Sequence, residues 1–221
     1  NYFGAMLVES GYADALISGI TRNYRDVIRP ALQIIGMESD VKQVAGMYIV
    51  QSKKGPVFFA DTTVNVDPTA EEIVDITLLV SRSVQKLRIT PKIALLAYSN
   101  FGSAKGVDAE KMRRATAMLH KQYPDLIVDG EIQANFALNK EMGKDLFPFS
   151  NFKGRSANTL IFPNLSSGNI AYKLIQEMGE KEVIGPILLG MKKSFHVLQM
   201  GCSVREIVNM VRIAVVDAQT K

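Results

Sequence analysis

The chain has 221 residues, 47% of them hydrophobic, and a formal charge of +4. That is ample for one large α/β unit or two small domains with a real core, and too little positive charge for the basic stripe of a nucleic-acid binder. A single cysteine, Cys202, excludes an internal disulfide and suits a reducing cytoplasm, and one cysteine with His120 and His196 argues against a structural zinc site.

The opening "NYFGAMLVESG" reads as the middle of a helix with no signal-peptide pattern, so the chain is expected to be a fragment of a longer cytoplasmic protein. No apolar run reaches the length of a membrane span; Arg212, Asn209 and glycines interrupt the longest ones. Strands are expected at Ala15–Ser18, Ala45–Gln51, Val57–Asp61, Lys92–Ser99, Leu126–Asp129, Thr159–Pro163 and Ile187–Leu189. Their apolar residues fall on both parities, the pattern of strands buried on both faces. Helices are expected at Asp26–Ile35, Thr69–Leu87, Val107–Gln122, Gly168–Met178 and Val204–Gln219. The helix after "DPTAEE" has a start signal, with Asp67 or Thr69 as cap and Glu71 and Glu72 in the first turn.

Alternation of this kind implies crossover connections and an α/β fold, a mostly parallel sheet flanked by helices in three α/β/α layers. The "SKKGP" hairpin between Ala45–Gln51 and Val57–Asp61 predicts an antiparallel pair at the sheet edge. The stretch Glu141–Ala157 is the most irregular and is expected to be a surface excursion.

Five strand candidates end in small polar residues: "ALISGITRN", "FFADTTVNVD", "LLAYSNFGSAKG", "LIVDGEIQAN" and "LIFPNLSSGN". Ligands of open α/β sheets bind beyond the carboxyl ends of the strands. A single such ending is an ordinary turn; five along one edge predict a crevice. Within it, Ser99, Gly102, Ser103 and Lys105 of "SNFGSAKG" offer hydroxyls, close backbone approach and a cation before a helix start, the parts of an oxyanion site, although the Walker A spacing is absent. Asn164, Ser166, Gly168 and Asn169 put a surplus of small hydrogen-bonding groups on one junction. Arg29, early in a helix where a cation is poorly placed, is by default a surface residue and alternatively an anion holder. His196 and Cys202 read as packed core groups. Asp129 and Glu131 are an acid–base pair only if the fold brings them together.

Taken in order and spacing, "RPALQII", "ADTTVNVDPTAEE", "YSNFGSAKG", "VDGEIQAN", "FPNLSSGNIAYKL" and "GPILLG" resemble the phosphate acetyl/butyryltransferase family. The resemblance implies transfer of an acetyl group between coenzyme A and phosphate, no metal or prosthetic group, and two α/β domains with the site in the cleft between them. On that pattern residues 1–40 and 200–221 belong to a truncated first domain and 41–199 form the second. Active members read close to "NDLSRGCSxEDIV", in which the aspartate deprotonates the coenzyme A thiol and the arginine holds phosphate. This chain reads "HVLQMGCSVREIV", which sets Gln199 at the serine, Met200 at the arginine and Glu206 at the aspartate. Loss of an arginine–phosphate contact is worth about 2–4 kcal/mol, so the corner is expected to be catalytically degenerate.

The altered ending is similar to one branch, the C-terminal phosphotransacetylase-like domain of bacterial NADP-dependent malic enzymes. That resemblance implies an acetyl-CoA-binding regulatory and oligomerisation domain, dimeric through itself. NADP and a divalent metal would be confined to an absent N-terminal malic domain. The alternative is an active phosphate acetyltransferase.

Overall fold

The computed structural model describes residues 1–179 and 182–221. In chain order the elements are α1 (Tyr2–Glu9), β1 (Ala15–Gly19), α2 (Tyr24–Ile34), β2 (Ala45–Ser52), β3 (Gly55–Ala60), α3 (Ala70–Lys86), β4 (Ile93–Leu96) and α4 (Val107–Gln122). The second half continues with β5 (Val128–Ile132), α5 (Ala134–Leu138), α6 (Lys140–Leu146), β6 (Thr159–Ile161), α7 (Leu165–Met178), β7 (Val183–Leu189), β8 (Ser194–Leu198) and α8 (Val204–Gln219).

The helix starts follow local chemistry. Thr69 and Glu72 form a reciprocal capping box on α3, so Thr69 rather than Asp67 is the cap. Asn164 caps α7 by accepting the Ser167 N–H. Ser203 and Glu206 form a second box on α8.

Six strands make one sheet in the order β5-β4-β6-β3-β2-β7. β3, β6, β4 and β5 pair in parallel, and β2 is antiparallel to both of its neighbours. The hairpin is therefore antiparallel as the sequence predicts, but it is not the edge: β7 hydrogen-bonds along the outer side of β2. A separate sheet contains β1 and β8 in parallel. The sequence shows no strand at β8, because Ser194 and His196 break its apolar run; both side chains are nonetheless buried.

One face of the large sheet packs Met47, Phe58, Ile93 and Leu95 against Ile73, Ile76 and Val80 of α3, Met112 and Leu119 of α4, and Met210 of α8. The other face packs Tyr48, Phe59 and Leu160 against Ala137 of α5 and Tyr172 of α7. This gives the three layers. Each fully buried Ile or Leu stabilises the layers by roughly 1.5–3 kcal/mol. A third cluster holds the small sheet, through Phe195 and Val197, against Ala5 and Val8 of α1 and Val27 and Ala31 of α2.

The irregular stretch is partly helical, with α6 capped by the Asn139 side chain. Its Phe147 and Phe149 rings pack on Phe101 at centroid distances of 5.0 Å each.

Candidate functional site

The loops after β3, β4 and β6 leave the same edge of the large sheet, since those strands are parallel neighbours. After β3, Asp61 turns inward. Its Oδ1 accepts N–H bonds from Gly46, Thr63 and Val64, and its Oδ2 accepts from the Asn65 backbone and side chain. Burial pushes the Asp61 carboxyl up, against the pull of those N–H donors. The result is a rigid turn on which α7 sits. A Cβ at Gly168 would stand 2.6 Å from the Asp61 carbonyl oxygen, so only glycine lets the helix approach. Asn169 donates to the Thr62 carbonyl at 3.2 Å, and Asn164 donates to Asp108 at 3.0 Å, joining α7 to the start of α4. The small polar residues of "NLSSGN" are thus mostly structural, and Ser166 alone among the four candidates is exposed.

The "SNFGSAKG" loop folds around an internal anion. Glu131, fully buried, accepts from the Ser99 hydroxyl at 2.8 Å, the Gly102 N–H at 2.7 Å and the Arg113 guanidinium at 3.0 and 3.2 Å. Burial alone would raise the Glu131 carboxyl; Arg113, the Gly102 N–H and Ser99 outweigh it and hold it below the usual range. Ser103 accepts from the Asn100 N–H at 2.9 Å. The hydroxyls and N–H expected to hold a ligand oxyanion are therefore engaged within the chain, which leaves exposed Lys105 as the uncommitted group.

In the sequence Glu131 stands out only as a neighbour of Asp129. That pair does not form: Asp129 accepts from the Ser150 hydroxyl at 2.7 Å and the Asn151 N–H at 2.8 Å, away from Arg113. Arg113, seven residues into α4, carried no signal beyond its charge. Arg29 lies on the exposed face of α2.

A second group of candidate residues lies where the small sheet ends, beside the edge of the large sheet at which β7 begins. Gly19, at φ +130°, lies against the Leu198 carbonyl where any Cβ would overlap it, and the Ile20 N–H donates to the same oxygen at 3.2 Å. Beyond β8, Gln199 donates to the Tyr172 hydroxyl at 3.1 Å. Tyr172 in turn stacks on Tyr48 at 3.9 Å. Burial raises the Tyr48 phenol, and the Tyr172 hydroxyl and the Glu206 charge push it the same way. Met200 is 66% exposed. Glu206 bends back on its own helix, where its Oε2 accepts from the Ser203 N–H at 2.7 Å and hydroxyl at 2.8 Å, and its Oε1 from Gln176 at 3.4 Å. Gln199 and Glu206 thus come together through α7, and no cation joins them among the described contacts. Burial and the Glu206 charge raise the neighbouring Cys202 thiol, which disfavours a nucleophilic thiolate. Among the described residues no three His, Cys, Asp or Glu side chains gather to hold a metal ion, and no helix is long and apolar enough to cross a membrane.

The fold defines a class: a three-layer α/β protein whose six-stranded, mostly parallel sheet is accompanied by a second, two-stranded parallel sheet. The chain belongs to the phosphate acetyl/butaryl transferase family, which it matches over residues 1–215. It is 40% identical to the phosphate acetyltransferase of Clostridium acetobutylicum, across 99% of this chain and 67% of that protein. It is 42% identical to the NADP-dependent malic enzyme of Haemophilus influenzae, across 96% of this chain and 28% of that protein. A phosphotransacetylase structure from Streptococcus pyogenes superposes with a TM-score of 0.92 at 38% identity, covering 100% of this chain and 68% of that one. The chain is homologous both to phosphate acetyltransferases and to the C-terminal part of malic enzymes, and it spans under a third of the latter.

Proposed function

We propose that this chain is the acetyl-CoA-binding regulatory and oligomerisation domain of a cytoplasmic NADP-dependent malic enzyme, and that it does not turn over acetyl phosphate. The observation that carries this reading is the corner after β8. Met200, exposed and uncharged, stands where the resemblance implies the phosphate-holding arginine, and the Glu206 carboxylate is engaged by Ser203 and Gln176. A base that caps its own helix is poorly placed to take a thiol proton. Of the expected ligand contacts, Arg29, Gly102, Ser103, Lys105 and Ser166 are exposed, and Arg29, Lys105 and Ser166 are assigned to the anionic parts of acetyl-CoA. Malate oxidation, with its NADP and metal, would reside elsewhere in the longer protein.

Residues 1–40 and 200–221 are assigned to a first domain shared with further chain. The exposed Tyr2, Phe3 and Met6 of α1 and the valine row 204, 208, 211 and 215 of α8 support that assignment. A row with this 4-3-4 spacing is an apolar seam that water alone does not favour.

Calorimetric titration of acetyl-CoA alongside an assay of coenzyme A consumption with acetyl phosphate tests the reading. Binding without turnover is expected. Turnover that disappears in Glu206→Gln would establish the second reading, a working phosphate acetyltransferase, which the 40% identity over two thirds of the Clostridium enzyme favours. No heat and no rise in melting temperature would leave a purely structural module.

A further inference from the structure

The connection from α2 to β2 is tied to α3 at two places. Toward the end of α3, Arg82 Nη1 meets Asp40 Oδ2 at 2.6 Å. Nearer its start, Lys42 Nζ meets Asp75 Oδ2 at 3.4 Å, and Gln43 donates to the Glu72 carbonyl at 3.1 Å. Loop and helix together line a cavity of about 490 Å³, within the size range of small-molecule sites. None of the residues assigned above to acyl-CoA lines it.

Asp75, Leu78 and Arg82 recur at helical spacing and form one stripe of α3 along the cavity. About 10 Å of helix separates Asp75 from Arg82. Leu78 and the buried Leu79, with Val41 of the loop, make the lining between them apolar. Ser81 lines the cavity too; it is 5% exposed, and its hydroxyl makes no hydrogen bond among the described residues. The four charges balance, so this is not the rim of an anion site. Instead each cation stands beside a carboxylate next to an apolar surface. The Arg82–Asp40 pair is 45% and 63% exposed, and a pair so open to water parts cheaply. Arg82 spends one nitrogen on Asp40, which leaves the rest of its fork for a second carboxylate.

We propose that this cavity binds a free α-amino acid with a large apolar side chain. The ligand carboxylate takes the remaining Arg82 N–H groups and the Ser81 hydroxyl. Its ammonium takes Asp40, and its side chain lies along Leu78 and Leu79 toward Lys42. In an α-amino acid the two charges stand one carbon apart, which matches the close Arg82–Asp40 pair. A ligand with a single charge would part that pair and answer only one member of it. The site is independent of the acyl-CoA reading and holds or fails without it.

The test titrates the whole chain with L-phenylalanine by calorimetry and follows the melting temperature. Three probes each remove one feature: glycine the apolar body, 3-phenylpropionate the ammonium, 2-phenylethylamine the carboxylate. Phenylalanine is expected to give a saturable heat and a raised melting temperature, and each probe to bind at least about tenfold more weakly. Arg82→Gln and Asp40→Asn change exposed side chains, so both should melt within about 2 °C of wild type without ligand. Arg82→Gln should weaken phenylalanine binding about tenfold. Asp40→Asn should weaken phenylalanine but not 3-phenylpropionate, a split that a merely structural effect on the loop would not produce. No heat and no shift with phenylalanine overturns the site. Binding of 3-phenylpropionate as tight as that of phenylalanine overturns the zwitterion, and unchanged affinity in Arg82→Gln puts the ligand outside this cavity and overturns the assignment.

Discussion

Replacing Glu131 with glutamine tests whether the loop after β4 is organised around an internal carboxylate. The wild-type side chain is fully buried and accepts bonds from Ser99, Gly102 and both Arg113 nitrogens in reach. Glutamine keeps the shape but removes the charge and turns one acceptor into a donor. That donor then faces either the Gly102 N–H or the Arg113 guanidinium. Breaking a buried ion pair costs about 3–5 kcal/mol. Arg113 is 41% exposed and can recover part of its hydration, which brings the expected loss to about 2–4 kcal/mol.

For a chain of this length that is a fall in Tm of roughly 5–12 °C, readable by calorimetry at pH 7. The pH dependence carries a sign. The folded carboxyl is held below its ordinary value. Its ionised form therefore stabilises the native state above the unfolded carboxyl pKa of about 4.3 and ceases to do so as pH falls through the folded value. The gap between wild type and Glu131→Gln should narrow below about pH 4. A melting temperature within 2 °C of wild type at pH 7 would refute the reasoning, as would a gap that widens in acid.

Gly168→Ala should destabilise the protein by about 1–3 kcal/mol, although alanine is the better helix former, because the added carbon meets the Asp61 carbonyl; equilibrium urea unfolding measures it. Thr69→Ala removes one half of the α3 capping box and should cost about 1 kcal/mol by the same measurement. Met200→Arg supplies a cation at the corner after β8, worth about 2–4 kcal/mol to a bound phosphate. Inorganic phosphate should then compete with acetyl-CoA in a titration, and an absence of competition would remove position 200 from the argument.

The elements that sequence revealed are those whose signal is local. The α3 capping box, the "SKKGP" hairpin and the apolar runs of β2, β3 and β6 all state their conformation within a few residues. What stayed hidden depends on partners far along the chain. β8 reads as broken because Ser194 and His196 look polar, yet Ser194 donates to the Ala214 carbonyl of α8, and His196 accepts the Leu188 N–H of β7 at Nδ1 and meets the Ser194 hydroxyl at Nε2. The position of β7 outside β2 cannot be read from the hairpin, since it is set by a strand more than 120 residues further on.

The same division holds for the site. Of the five polar loop ends, those after β3, β4, β5 and β6 leave one edge of the large sheet, while the one after β1 belongs to the small sheet, a division the sequence does not show. The use of Ser99 and Gly102 was not legible either. A hydroxyl and a free N–H in a glycine turn look identical whether their acceptor is a ligand or a carboxylate 32 residues away. Only the fold shows that Arg113 and Glu131 complete that circle.

Glu131 has a further consequence through mass action. Because it is covalently part of the same chain, its carboxylate confronts the Ser99 and Gly102 donors at an effective concentration that a dissolved anion at millimolar levels does not match. A free phosphate could occupy that turn only by evicting a tethered rival and stranding it in an apolar interior.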